Sequence, residues 1–215
     1  MQFDMAAEPY IVSYKIMNST ITPRPIAWVT TVSADGQLNC APHSFFNAMG
    51  YDPPLIALGL IKNPKTGGDK DTAANILATG EFTIGLVAEA DAERMNLTSV
   101  DAPSDVNELD LAGIETLPSS RIRPPIIASS PVSFECRRVA ALDIGKGQTI
   151  FVGEVLVTHI ADEFVIDRDR LHLDTPGMRL VARMHGAGWY LKSTDLFEMP
   201  RPSYAKIAGT GTATK

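Results

Sequence analysis

The sequence predicts a mainly β protein, an antiparallel barrel that is closed or split and carries a few short helices. Two observations predict this along the whole chain. β-rich runs outnumber helical patterns, and the helical stretches are not spaced as the repeated βαβ units that build a parallel sheet. The third observation is local: in "PIAWVTTVSADGQLNCAPHSFF" two β-rich runs flank Ala34-Asp35-Gly36, where Asp-Gly supplies the positive φ of a hairpin turn.

The remaining elements follow in order. "LIALGLI", after the double proline at 53 and 54, is a short continuous apolar run, the pattern of a strand buried on both faces. A Gly/Lys loop leads into "KDTAANILATGEF", a short helix with Asp71 or Thr72 as N-cap and Gly80 as the terminating glycine. "FTIGLV" reads as a strand and "AEADAERMNLTS" as an acidic helix. Residues 101–125 form a long irregular connection with four prolines, and loops of this length usually serve function or pack against a partner. The second half returns to β structure in "VSFECRRVAAL", a "GKGQ" turn, "TIFVGEVLVTHI", "FVID" and "GWYLK". One domain is expected over residues 1–205, with a small, polar, disordered tail over 206–215.

With 215 residues, 45% hydrophobic and 20% charged, the chain can bury a sizeable core as a soluble globular protein. Twenty-five acidic against nineteen basic residues leave a net charge of -6, which argues against nucleic acid as a partner. No apolar run is long enough for a membrane span, and "MQFDMAAEPY" lacks the basic and apolar regions of a signal peptide, so a cytoplasmic location is expected. Cys40 and Cys136 are read as buried free thiols. His43, His159, His172 and His185 show no metal-ligand spacing, so no metal is expected. The serine nucleophile elbow and the Walker phosphate loop are both absent.

Three stretches remain as candidates. In the hairpin, Trp28, Thr30 and Val32 are expected to face a core, with Thr31 and its neighbours presenting hydroxyls and backbone to the other side. In "APHSFFNA", Ser44, Phe45 and Asn47 offer hydrogen bonds and an aromatic wall to a flat ring; a strand whose polar face simply meets water is the competing reading. In "GGDKDTAANI", a glycine loop delivers Lys70 and the Thr72 hydroxyl to a helix N-terminus, where free N–H groups favour an anion. "RMHGAGWY", with His185, is a fourth and weaker candidate.

A flat ring plus a phosphate describes a nucleotide cofactor, and the segments "RPIAWVTT", "APHSFFNA", "DPPLIALGL", "KDTAANILATGEF", "ELDLAGI" and "PVSFECR" carry a resemblance. In order and spacing they resemble the flavin reductase-like family, in the branch that includes the reductase component of nitrilotriacetate monooxygenase. The resemblance implies an FMN-binding split β-barrel of Greek-key type, a homodimer with flavin near the subunit interface, using NADH or NADPH to reduce FMN and supply a separate monooxygenase or another acceptor. It places Trp28, Val29, Thr30 and Thr31 with Pro42, His43, Ser44, Phe45 and Asn47 on the flavin-contacting strands, Lys70 and Thr72 on the phosphate, and His185 in a late segment near the cofactor. Hydride transfer between two cofactors needs no protein nucleophile, so no catalytic side chain is assigned. Two other readings remain: an FMN-binding or electron-transfer protein without rapid NAD(P)H turnover, and a flavin-independent small-ligand barrel that shares only the scaffold.

Overall fold

The structure, a computed structural model, describes residues 1–186 and 188–208. The expected disordered tail lies outside the described residues from position 209 onward. In chain order the elements are α1 (Tyr10–Thr20), β1 (Arg24–Pro25), β2 (Ala27–Val32), β3 (Leu38–His43), β4 (Phe46–Tyr51), β5 (Pro54–Ile61), α2 (Asp71–Thr79), β6 (Glu81–Leu86), α3 (Ala92–Leu97) and α4 (Glu108–Leu111). Then come β7 (Thr116–Leu117), β8 (Ile126–Ile127), β9 (Val132–Asp143), β10 (Gln148–Ile160), β11 (Val165–Asp167), β12 (His172–Leu173), β13 (Val181–Arg183), β14 (Tyr190–Lys192) and α5 (Tyr204–Ile207).

Seven strands form one antiparallel sheet in the order β3-β2-β6-β9-β10-β5-β4. Its two edge strands, β3 and β4, are separated in sequence by only Ser44 and Phe45. In a flat sheet six strand spacings would hold the edges about 29 Å apart, whereas the three Cα steps from His43 to Phe46 reach about 11 Å. The sheet therefore has to curl until its edges meet, and Ser44 and Phe45 mark the seam. There the Gly59 amide donates to the Phe45 carbonyl at 2.7 Å, and a Cβ on Gly59 would stand 3.1 Å from the Phe45 Cβ. This is the split antiparallel barrel that the sequence predicts.

Alternation along β2 feeds two apolar clusters. Ala27 and Val29 join Leu58, Phe82, Ile84 and Phe151, with Ala73 and Ile76 of α2 packed into the same cluster. Trp28 points the other way, to Cys40, Met95, Leu109 and Ile127. The strand is thus covered on both faces, because α3, α4 and the 101–127 connection pack over its second side. That long connection packs over the chain's own core through Leu109, Ala112, Ile114 and Ile127. Thr30 fixes it further by bonding to the Thr83 hydroxyl and the Pro125 carbonyl. Both cysteines are buried and unpaired, and burial pushes their thiols well above the usual range.

The Asp35-Gly36 turn forms as expected, with Gly36 at φ +92°, and Gly80 ends α2 at φ +74°. Two local expectations are corrected. The run "LIALGLI" buries only alternate residues, Ile56, Leu58 and Leu60, because β5 has barrel on one side only. The N-cap of α2 is Lys70, with Asp71 and Thr72 inside the helix and no side-chain cap bond. In the three-stranded side sheet β1-β13-β14, β14 falls within the predicted "GWYLK" strand, whereas β1, β13 and helix α1 carry no strong sequence signal. Only Asn18 of α1 is buried, and its last carbonyls are held by Arg24 from outside the helix. Among the described residues no helix is long and apolar enough to cross a membrane.

Candidate functional site

A cleft of about 750 Å³ opens at the seam, within the usual span of small-molecule sites, roughly 300–1,000 Å³. Its wall combines the end of β3 and the seam (Pro42, His43, Ser44, Phe45), the start of α2 (Lys70, Asp71, Thr72), the segment after α3, and Arg24, Arg183 and Tyr190 of the side sheet. Sequence neighbours alone could not build it, since Arg24 and Met184, bonded to each other, are 160 residues apart.

At one end lies the N-terminus of α2. The first helical bond there runs from the Ala74 amide to the Lys70 carbonyl at 2.9 Å, and the preceding amides have no side-chain cap. Such amides carry partial positive charge and favour an anion. Thr72, 3% exposed, accepts from Asn39 Nδ2 at 3.0 Å and lies 3.4 Å from His43 Nε2. Burial, and then the charge of Lys70, push the His43 imidazole down to about 4. At neutral pH the ring is therefore uncharged, and its Nε2 can accept the Thr72 proton. Asn39 also donates to Thr31, which accepts from Asn75 as well. The Lys70 ammonium pairs with Asp101 at 3.2 Å, both exposed, a contact weak enough in water to exchange.

At the other end Arg24 is nearly fully buried. It donates to the carbonyls of Asn18 (2.7 Å), Ile21 (2.9 Å) and Met184 (2.8 Å), and to the Ser44 hydroxyl at 3.3 Å. It thereby ties α1, β1 and the turn after β13 to the seam. Between the two ends Pro42 and Phe45 give flat apolar walls, and Tyr14 meets Phe45 edge to face, ring centroids 6.5 Å apart.

A curled antiparallel sheet with a polar and aromatic cleft at its seam defines a split-barrel ligand-binding protein. The family model for the flavin reductase like domain matches residues 17–172, and the chain belongs to that family of flavin-handling oxidoreductases. A Deinococcus radiodurans protein is 40% identical over 208 residues, covering 95% of this chain and 91% of the relative. Bacillus subtilis YwrF is 35% identical over 196 residues, 89% and 94%. Among solved structures, the 2-nitrobenzoate 2-nitroreductase NbaA of Pseudomonas fluorescens is similar at TM-score 0.84 with 29% identity, covering 95% of this chain and 98% of that one. Nitrilotriacetate monooxygenase component B of Bacillus cereus is similar at TM-score 0.86 with 27% identity, 93% and 98%.

Of the residues singled out in the sequence, Pro42, His43, Ser44, Phe45, Lys70 and Thr72 line the cleft. Thr31 stands behind the wall, bonded to Asn39. Trp28, Val29 and Thr30 do not reach the cleft. They are fully buried, and the Trp28 indole donates to Thr98 at 2.9 Å, so the strand read as one-sided spends both faces on core. Asn47 lies on the exposed edge strand β4, where its amide oxygen accepts from the Ala48 amide. His185 is exposed and sits against Trp189, ring centroids 5.7 Å apart, while its neighbours Gly186 and Gly188 line the cleft. Sequence reasoning missed Asn39, Arg24, Arg183 and Tyr190. The one available signal was Arg24, a charge set between two prolines at the head of an apolar strand.

Proposed function

We propose that the protein is an NAD(P)H-dependent FMN reductase, a single split-barrel domain over residues 1–205 that works as a cytoplasmic homodimer. The observation that carries this reading is the cleft itself: flat walls at Pro42 and Phe45 lead to the uncapped N-terminus of α2, beside Lys70 and Thr72. Those residues fit a mononucleotide, ring against the seam and phosphate at the helix. FMN supplies the hydride-accepting chemistry when bound. The chain's own part is to orient it: Asn39 and neutral His43 set the Thr72 hydroxyl, α2 offers its amides, and the barrel keeps water from one face of the ring. With no dinucleotide fingerprint in the sequence, the nicotinamide enters the open side of the same cleft. Similarity to nitrilotriacetate monooxygenase component B supports supply of reduced flavin to a separate oxygenase component.

The absorption spectrum of the purified protein before and after addition of FMN, followed by NADH and NADPH oxidation, tests the reading. Bound flavin with turnover is expected. Bound flavin without turnover would make it an FMN-binding or electron-transfer protein, and absence of flavin binding would overturn both.

A further inference from the structure

The side sheet places three cleft residues in one cross-strand row. Arg24 is the register partner of Arg183, and Arg183 that of Tyr190. All three line the cleft. Like charges directly opposite one another destabilise an antiparallel pair, so an Arg–Arg pair is eased by a compensating anion, and the described residues supply none. Among the described residues neither guanidinium forms an ion pair; the bridges present engage other cations. Arg24 is only 5% exposed, and its donors meet three carbonyls and one hydroxyl, neutral partners that fix the group without cancelling its charge. Burial, then Arg183, hold it below the ordinary guanidinium range, with Tyr14 acting in the other direction. Uncompensated buried charge is costly. In a chain of net charge -6, keeping two cations unpaired at one wall of a cleft points to an anion brought by a ligand.

The shape around the pair narrows the ligand. The Arg183 guanidinium lies over the Tyr190 ring, 4.7 Å from its centroid, which orients its planar fork. Tyr14 and Phe45 stand edge to face nearby. A planar fork beside aromatic surfaces suits a flat ring bearing a carboxylate, because carboxylate and guanidinium pair through two parallel hydrogen bonds. We propose that the Arg24–Arg183–Tyr190 row is a subsite for the carboxylate of a planar aromatic acid. This rests on the flavin reading only for the acid's place beside the cofactor, whose phosphate is assigned to the α2 end.

Titration calorimetry of the FMN-loaded protein with benzoate and with benzamide tests the subsite. Benzoate is expected to bind at least tenfold more tightly. Arg183→Gln should remove that preference, Arg183→Lys should keep part of it, and each variant's melting curve should show that it folds. FMN affinity should change less than twofold. Equal binding of benzoate and benzamide to the native protein would overturn the proposal. So would an Arg183→Gln variant that loses FMN but not riboflavin, which would give the arginines to the cofactor phosphate, or one whose KM for NADH or NADPH rises while benzoate binding is unchanged. A benzoate preference that persists in protein unable to bind flavin would support the subsite while removing the flavin reading.

Discussion

Two side chains at the head of α2 carry the assignment of the cofactor's phosphate. Removing both in Lys70→Ala/Thr72→Ala should weaken FMN far more than riboflavin, since only FMN has the phosphate they are proposed to meet. Each charge-assisted contact should contribute roughly 1.5–3 kcal/mol, and fluorescence titration with the two flavins measures the difference. Equal losses would place the phosphate elsewhere. At this scale the sequence was legible where a residue type clashed with its surroundings: His43, Ser44 and Phe45 interrupt a β run, and Lys70 with Thr72 follow a glycine loop. It was not legible where function depends on register, as with Arg183 and Tyr190, which meet Arg24 only through the side sheet. Trp28 and Thr30 do face a core as the alternation implied, and for Trp28 that core is built by distant segments, Met95, Leu109 and Ile127.

Between elements, the closest approach at the seam gives a separate handle on the cleft. Gly59→Val would press on Phe45, whose Cβ already lies 3.1 Å from the place of a first carbon. Overpacking of this kind costs about 1–3 kcal/mol, and it should weaken FMN and riboflavin alike, which distinguishes it in the same titrations from loss of the phosphate contacts. A second link between elements is Glu135 of β9, fully buried. It accepts from the Ser120 amide at 2.7 Å and the Ser120 hydroxyl at 2.8 Å, from the Arg121 amide at 2.7 Å, and from His159 at 2.7 Å. Burial alone would raise this carboxyl, but the bonds from Ser120, His159 and Arg121 outweigh it and hold it at about 2. In Glu135→Gln one acceptor oxygen would have to serve donors that now share two. The expected cost is about 3 kcal/mol, read as a lower denaturation midpoint by urea titration. The helices and strands themselves were largely legible from periodicity and turn residues. Helix α1 was not, because its apolar side chains Ile11, Tyr14 and Met17 remain exposed and it begins without a capping side chain.

For the molecule as a whole, Glu135 and His43 give the response to acid two separate windows. Glu135 is depressed from 4.5 to about 2, so the stability it contributes is complete above about 4.5 and is lost as the pH falls through about 2. His43 is depressed from 6.5 to about 4; the unfolded chain binds this proton first, so stability falls as the pH drops from 6.5 toward 4. Thermal melts followed by circular dichroism should therefore show a first decline between pH 6.5 and 4 and a second below 4.5. His43→Gln should abolish the first and leave the second. The assembly is a further expectation at this scale. Met49 and Tyr51 on edge strand β4, and Ile11, Tyr14 and Met17 on α1, leave apolar surface uncovered, which supports a two-fold partner. Sedimentation at micromolar concentration should give a dimer, and a monomer that still holds FMN tightly would exclude this assembly.

The joint at Ser44 and Phe45 makes the ring unusual mechanically. Elsewhere its circumference is fastened by ladders of backbone hydrogen bonds, but β3 and β4 are not paired with each other, and the chain itself joins them here; the bond from Gly59 to Phe45 continues the β4–β5 ladder on one side of the joint. Such a ring behaves like a split washer: stiff around most of its length and compliant at the gap. Whatever wedges into the gap presses on a spring formed by the whole barrel. On this geometry a guest would be gripped without a moving lid, and its release would follow how far a few backbone torsions let the gap spread.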